Sequence, residues 1–69
     1  MENFAEHLKN IRTTKGLTQR QVAVGIDVSE RLYQRYEAGK GKPSFDNLWA
    51  LADFFDISVD ELMGREQKA

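Results

Sequence analysis

The stretch Gly16-Leu17-Thr18-Gln19-Arg20-Gln21-Val22-Ala23-Val24-Gly25-Ile26-Asp27-Val28-Ser29 decides how the rest of the chain is read. Thr18 and Gln21 form a capping box: a hydroxyl accepts from the amide three residues on, and an amide side chain reaches back to the cap. The box opens a helix that turns Val22, Ala23 and Ile26 inward. Asp27-Val28 reads as a tight turn. Ser29 caps a further helix that runs to about Ala38 and stops at Gly39. About eight helical residues, a turn of about three and another helix are too tight for an antiparallel hairpin and suit two helices crossing at a large angle. The small Ala23 lies where the second of these helices would approach the first.

Working outward, Phe4, Leu8 and Ile11 recur at helical spacing and predict a first helix that stops at Gly16. Beyond Gly39, Lys40-Gly41-Lys42-Pro43 is a basic loop. Ser44 then caps a fourth helix with Phe45, Leu48, Leu51, Ala52 and Phe55 on one stripe. Ser58-Val59-Asp60-Glu61 reads as a second capping box, opening a short fifth helix that ends at Gly64. The expected organisation is a single domain over residues 1–64 and a flexible, frayed tail over 65–69. No repeat, low-complexity segment or strand pattern is present. The fold class is all-α, a compact domain of five helices.

Composition narrows the function. With 69 residues the chain is one domain at most. Hydrophobic residues are 41% and charged residues 30%, a globular mix. Cysteine is absent, which removes disulfides, thiolate nucleophiles and Cys-containing zinc sites. No apolar run reaches the roughly 20 residues of a membrane span, and the N-terminus lacks the pattern of a signal peptide. The single histidine, His7, has neither a second histidine nor spaced carboxylates to make a metal site. Asp53, Asp56, Asp60 and Glu61 read as a solvated face and helix caps. With no nucleophile–base pair and no phosphate loop, the sequence does not read as an enzyme, and no cofactor, metal or small-molecule ligand is expected. Net charge is −1, but unevenly spread. Residues 1–42 hold eight Lys and Arg against five Asp and Glu, whereas residues 43–69 hold two against six. A phosphate partner reads the local patch, not the total.

Several stretches in order resemble the lambda-repressor-like, Cro/XRE-type helix-turn-helix DNA-binding domains. They are Gly16-Leu17-Thr18-Gln19, Val28-Ser29, Tyr33-Gln34-Arg35-Tyr36-Glu37-Ala38-Gly39-Lys40, Lys42-Pro43-Ser44, Leu51-Ala52-Asp53 and Ile57-Ser58-Val59-Asp60-Glu61-Leu62. The resemblance covers roughly Phe4 to Gly64. It implies a lambda-repressor-like fold and a double-stranded DNA partner, in a cytoplasmic, nucleoid-associated protein of prokaryotic or phage origin. One departure is Asp27, where the family often has Gly in a left-handed turn. Asp tolerates that backbone better than most residues, so a small stability cost is expected.

At about 100° per residue, Tyr33 and Tyr36 fall on one side of the third helix, and Arg31, Gln34 and Arg35 on the other. Arginine can bond bidentately to guanine, and glutamine to adenine. Arg31 and Arg35 are the leading base readers, and the resemblance supports them most. Gln34, Glu30 and Ser29 complete the base-reading set. Glu30 also suits the helix dipole at the first turn, and can accept from cytosine N4. Lys40, Lys42, Gln19 and Thr18 are expected to meet phosphates, which position the protein without reading sequence. In the resembled family the residue at Gln19 also braces the recognition helix. There too, an Arg late in the first helix pairs with the Glu that closes the recognition helix, here Arg12 and Glu37, as a structural clamp.

One recognition helix reads few base pairs, so a homodimer on an inverted repeat is expected, with half-sites about 34–36 Å apart. Trp49 and Phe54 exceed what one apolar stripe of the fourth helix needs, and Val59 and Met63 add apolar surface nearby; these four are the interface candidates, the alternative being that they complete the core of a small domain. The reading is a transcriptional regulator, more often a repressor than an activator. The alternative is a protein-interaction module, antitoxin-like or anti-regulator, that uses the same fold.

Overall fold

Five short polar side chains, each three residues ahead of a backbone amide that it accepts from, start the five helices. Asn3 Oδ1 takes the Glu6 amide at 2.9 Å and opens α1, Phe4–Thr14. Thr18 forms the full capping box with Gln21, at 3.0 and 2.8 Å, and opens α2, Gln19–Gly25. Ser29 opens α3, Glu30–Glu37; Ser44 opens α4, Phe45–Phe55; Ser58 opens α5, Val59–Leu62. At Ser58 the hydroxyl half of the expected box is in place, with Ser58 Oγ 3.0 Å from the Glu61 amide. The Asn3 cap was not anticipated from sequence, although Asn before an apolar helix is among the strongest N-cap signals. This computed structural model describes residues 3–64, so the tail expected over 65–69 lies outside the described residues.

The expected left-handed turn is present. Asp27 has φ 60°, and the Val28 amide beyond it donates to the Ala23 carbonyl at 3.0 Å. Asp56, read from sequence only as one of several acids, takes the same conformation at φ 59° and ends α4.

α2 and α3 pack closely on one another; α1 lies across α3 and α5, and α4 across α5 and α2. Leu8, Val22, Tyr33, Leu51 and Leu62 are fully buried at their centre, joined by Ala23, Ile26, Tyr36, Ala52 and Phe55. Gly25 lets α4 approach α2: a Cβ there would lie 2.2 Å from the Phe54 ring. His7 Nε2 donates to the Glu61 carbonyl at 2.7 Å and ties α1 to α5. One expectation fails. Phe45 does not join the buried stripe of α4 but is 71% exposed, its ring 5.9 Å from that of Trp49. Phe45 is the first residue of α4, and the buried positions, Leu51, Ala52 and Phe55, all lie in the later turns, where α2 and α5 cover them.

The main polar feature of the interior is Glu37, whose side chain is only 4% exposed. Arg12 of α1 holds it with two N–H groups, through Nε and, at 3.0 Å, Nη2. Arg12 Nη1 also donates to the Leu17 carbonyl at 2.8 Å. Tyr33 donates its hydroxyl to Glu37 Oε2, and Gln19 Nε2 donates to Oε1 at 3.1 Å. Burial pushes the carboxyl pKa up, but the hydrogen bonds from Arg12, Tyr33 and Gln19 outweigh it and hold Glu37 below its ordinary value. The hydrogen bond to Glu37 in turn raises Arg12. Burial first, then the same carboxylate, pushes the Tyr33 phenol well up, so it remains a donor.

Truncating Arg12 to Ala is expected to destabilise the domain by about 3–5 kcal/mol, because it strands a desolvated carboxylate. Urea unfolding of Arg12→Ala, Glu37→Gln and the double variant should give non-additive losses; additive losses would show that the two residues do not act as a pair. Because the Glu37 pKa is lowered on folding, its contribution is present above the unfolded carboxyl value of 4.5 and is lost as pH falls through the folded value. That part of the acid dependence should vanish in Glu37→Gln. Asp27→Gly should raise stability by up to about 1 kcal/mol, since relief of the left-handed strain is partly offset by the added freedom of the unfolded chain.

Candidate nucleic-acid interface

The core fixes which side of α3 faces out. Tyr33 and Tyr36 are buried at 0% and 3%, their rings edge-to-face at 6.2 Å. The Tyr36 hydroxyl accepts from Asn47 Nδ2 of α4 at 3.0 Å, and the Tyr33 hydroxyl is taken by Glu37. Asn47 was not picked out from sequence; nothing in its local pattern pointed to a partner on another helix. With the two tyrosines anchored at both ends of the inner face, Glu30, Arg31, Gln34 and Arg35 are all exposed on the remaining surface. Leu32 is half-buried at the edge of the core. Ser29 is exposed, but its Oγ already accepts from the Leu32 amide at 3.0 Å as the cap of α3.

The other expected contacts are placed around this ridge. Lys40 and Lys42 are exposed in the loop that follows α3. Thr18 is exposed at the start of α2, with its amide and hydroxyl engaged in the capping box. Gln19 is half-buried, and one of its N–H groups is spent on Glu37, which leaves the other N–H and its carbonyl oxygen. One contact had no sequence signal. Arg35 Nη2 donates to the Lys40 carbonyl at 2.9 Å, so the guanidinium lies back over the loop. Side-chain direction past a helix end is set by where the chain turns, which residue type alone does not reveal.

The four interface candidates do not lie together. Trp49, 58% exposed, and the half-buried Val59 line one shallow depression of about 190 Å³ with Ala52, Asp53 and Ile57. Met63, one turn beyond Val59, lines a separate apolar depression of about 230 Å³ with Phe4, Lys42, Pro43 and Leu48. Phe54 lies apart: it is about 140° around α4 from Trp49, and its ring lies over Gly25 and against Phe55 at 5.4 Å. The exposed acids Asp46, Asp53, Asp56 and Glu61 are all on or beside α4 and α5. Among the described residues, no group of three His, Cys, Asp or Glu side chains is placed to hold a metal ion.

An arginine- and glutamine-bearing helix, held by a second helix across a four-residue turn, Ile26 to Ser29, one residue longer than the sequence suggested, is the form in which proteins present a helix to the major groove. Known proteins agree with this geometry. The helix-turn-helix family HTH_3 matches residues 8–62. The chain is 45% identical over 60 residues to the cryptic phage CTXphi transcriptional repressor RstR of Vibrio cholerae, covering 87% of this chain and 54% of that protein. It is 39% identical over 64 residues to the HTH-type transcriptional activator BcrR of Enterococcus faecalis, covering 93% of this chain and 31% of that one. The chain thus spans about half, or less, of the length of these relatives. Among solved structures, the restriction-modification controller protein C.AhdI of Aeromonas hydrophila superposes with a TM-score of 0.82 at 32% identity, over 86% of this chain and 89% of that one. The chain belongs to the helix-turn-helix family, as an XRE/Cro-type DNA-binding domain similar to those of phage and bacterial transcriptional regulators.

Proposed function

We propose that this domain is a sequence-specific regulator of transcription that lays α3 in the major groove of double-stranded DNA. The observation that carries the reading is the sidedness of α3: two tyrosines buried at 0% and 3%, and Arg31, Gln34 and Arg35 exposed opposite them. Arg31 and Arg35 are assigned to guanine edges and Gln34 to adenine. Glu30, at the helix start, faces a cytosine amine or serves the helix dipole, and Ser29 adds its hydroxyl proton beside it. Lys40, Lys42, Thr18 and the free side of Gln19 are assigned to phosphates, which set register. The acids of α4 and α5 then face away from the duplex, where they limit non-specific adhesion. Residues 1–64 form the DNA-binding unit of this proposal.

Two copies on an inverted repeat supply the specificity that one helix lacks. Their contact is assigned to the α4–α5 surface of Trp49, Val59 and Met63, with Phe45 beside Trp49 extending it. Phe54, turned toward α2, is the weakest of the candidates. The domain acts by occupying an operator. Both signs of control occur among its relatives, RstR being named a repressor and BcrR an activator. Repression, by blocking polymerase, is the reading favoured by the more similar of the two. The site of action is the cytoplasm of a prokaryotic cell; among the described residues no helix is long and apolar enough to cross a membrane.

Selection of bound duplexes from a randomised pool at near-physiological salt tests this directly. An inverted repeat should be enriched, and Arg31→Ala should lose about 1–3 kcal/mol and blur one base position in each half-site. Lys40→Ala should instead weaken all sequences alike and lower the salt slope by about one. No enrichment, with salt-sensitive binding shared by the Arg31 variant, would favour a protein-interaction module instead. Trp49→Ser should reduce the preference for an inverted repeat over a single half-site, measured by titration of the two duplexes. An unchanged preference would place the dimer contact elsewhere.

A further inference from the structure

The loop that carries Lys40 and Lys42 is fastened to α3 at one residue. The Lys40 amide donates to the Arg35 carbonyl at 3.0 Å, and the Lys40 carbonyl accepts from Arg35 Nη2 at 2.9 Å. Arg35 thus grips the peptide units on both sides of Lys40, one with its backbone and one with its side chain. The grip extends to the next residue: a Cβ on Gly41 would lie 3.7 Å from Arg35 Nε and 3.9 Å from Nη2, so the guanidinium lies along the backbone of the loop. Gly39 (φ 73°) makes the turn that brings the chain back to this position. Both lysines are exposed; Lys40 lies between the two gripped peptide units and Lys42 follows two residues on.

We propose that Arg35 is a positioning residue for the phosphate-contacting loop as well as a base reader, and that its single guanidinium couples the two contacts. The inference rests on the DNA-binding reading above. Arginine carries five N–H donors in a rigid plane. One, on Nη2, is held by the Lys40 carbonyl, and the second proton on Nη2 together with those on Nη1 remains for a guanine edge. The plane that reads the base is therefore the plane that fixes where Lys40 and Lys42 stand relative to the duplex backbone. Loss of the Arg35 side chain removes the bond to the Lys40 carbonyl and leaves only the backbone bond from the Lys40 amide, so the loop loosens beyond Lys40 and phosphate contacts weaken even on DNA that has no preferred base. With its charge kept, as in Arg35→Lys, a reader without this second role would weaken only the cognate sequence.

The test uses the 69-residue chain, wild type and the variants Arg35→Ala, Arg35→Lys, Lys40→Ala and Arg35→Ala/Lys40→Ala. Arg35 is exposed, so the fold should survive each change, and a thermal melt checks it. The probes are a mixed-sequence duplex and the enriched inverted repeat. On the mixed-sequence duplex, Arg35→Lys keeps the charge but loses the planar fork, and its salt slope should still fall by about 0.9 for each loop phosphate contact released. Lys40→Ala should weaken wild type several-fold and Arg35→Ala by a factor near one. In the free protein, amide exchange at Lys40, Gly41 and Lys42 should speed up in both Arg35 variants. Independent effects of Arg35 and Lys40, with loop exchange unchanged, would overturn the proposal while leaving DNA binding intact. A wild type that binds neither duplex would overturn both this inference and the function on which it rests.

Discussion

A carboxylate that is 4% exposed must have its charge answered by the protein, because the alternative is a desolvation cost of several kcal/mol. Glu37 is answered from three helices at once: by Arg12 of α1, Gln19 of α2 and Tyr33 of its own helix α3. None of the three helices can rotate or slide without withdrawing a donor. The outward ridge of α3 depends on that arrangement. Tyr33 can point its ring into the core only because its hydroxyl has a partner there, and with Tyr33 inward, Arg31, Gln34 and Arg35 must point out. A single buried ion cluster therefore orients the face that is proposed to read DNA.

The same economy divides the polar residues between support and contact. Gln19 begins as a candidate for phosphate contact and is found with one N–H committed to Glu37. Ser29 is a candidate reader and also the cap of α3 that the sequence announced. Arg35 begins as a reader and is found gripping the loop. In each case the group retains some hydrogen-bonding capacity, because amides, hydroxyls and guanidinium groups have more donors and acceptors than one contact consumes. A domain of this size has few residues to spare, and polar side chains near the interface serve both purposes.

The apolar surplus of α4 is shared in a similar way. Phe54 is largely explained by the close approach of α2 at Gly25, where the missing Cβ makes room for its ring. Phe45 and Trp49, 71% and 58% exposed, lie against one another with their rings tilted by 48° and are left uncovered by the other described residues. Apolar exposure of this kind, beside the depression that Trp49 shares with Val59, is the basis of the contact with a second copy proposed above.

Local chemistry was legible in the sequence because it acts over three or four residues. Hydroxyls at Thr18, Ser29, Ser44 and Ser58 announced four of the five helix starts, glycines announced helix ends, and Asp27-Val28 announced a tight turn, whose left-handed form at Asp27 was implied by the family resemblance. The sidedness of α3 followed from helical periodicity alone, as did most of the core. Other features required the fold. Phe45 sits at helical spacing with the buried stripe yet is exposed, since burial depends on whether another helix passes overhead. Asp56 takes a left-handed turn that composition did not single out. The bonds from Asn47 to Tyr36 and from Arg35 to Lys40 depend on where a chain turns and which side chains then come within 3 Å. Sequence determined the helices and their faces through short-range hydrogen bonding and periodicity. Tertiary structure alone decided which polar groups were already spent and which apolar ones were left uncovered, because both depend on neighbours that are distant along the chain.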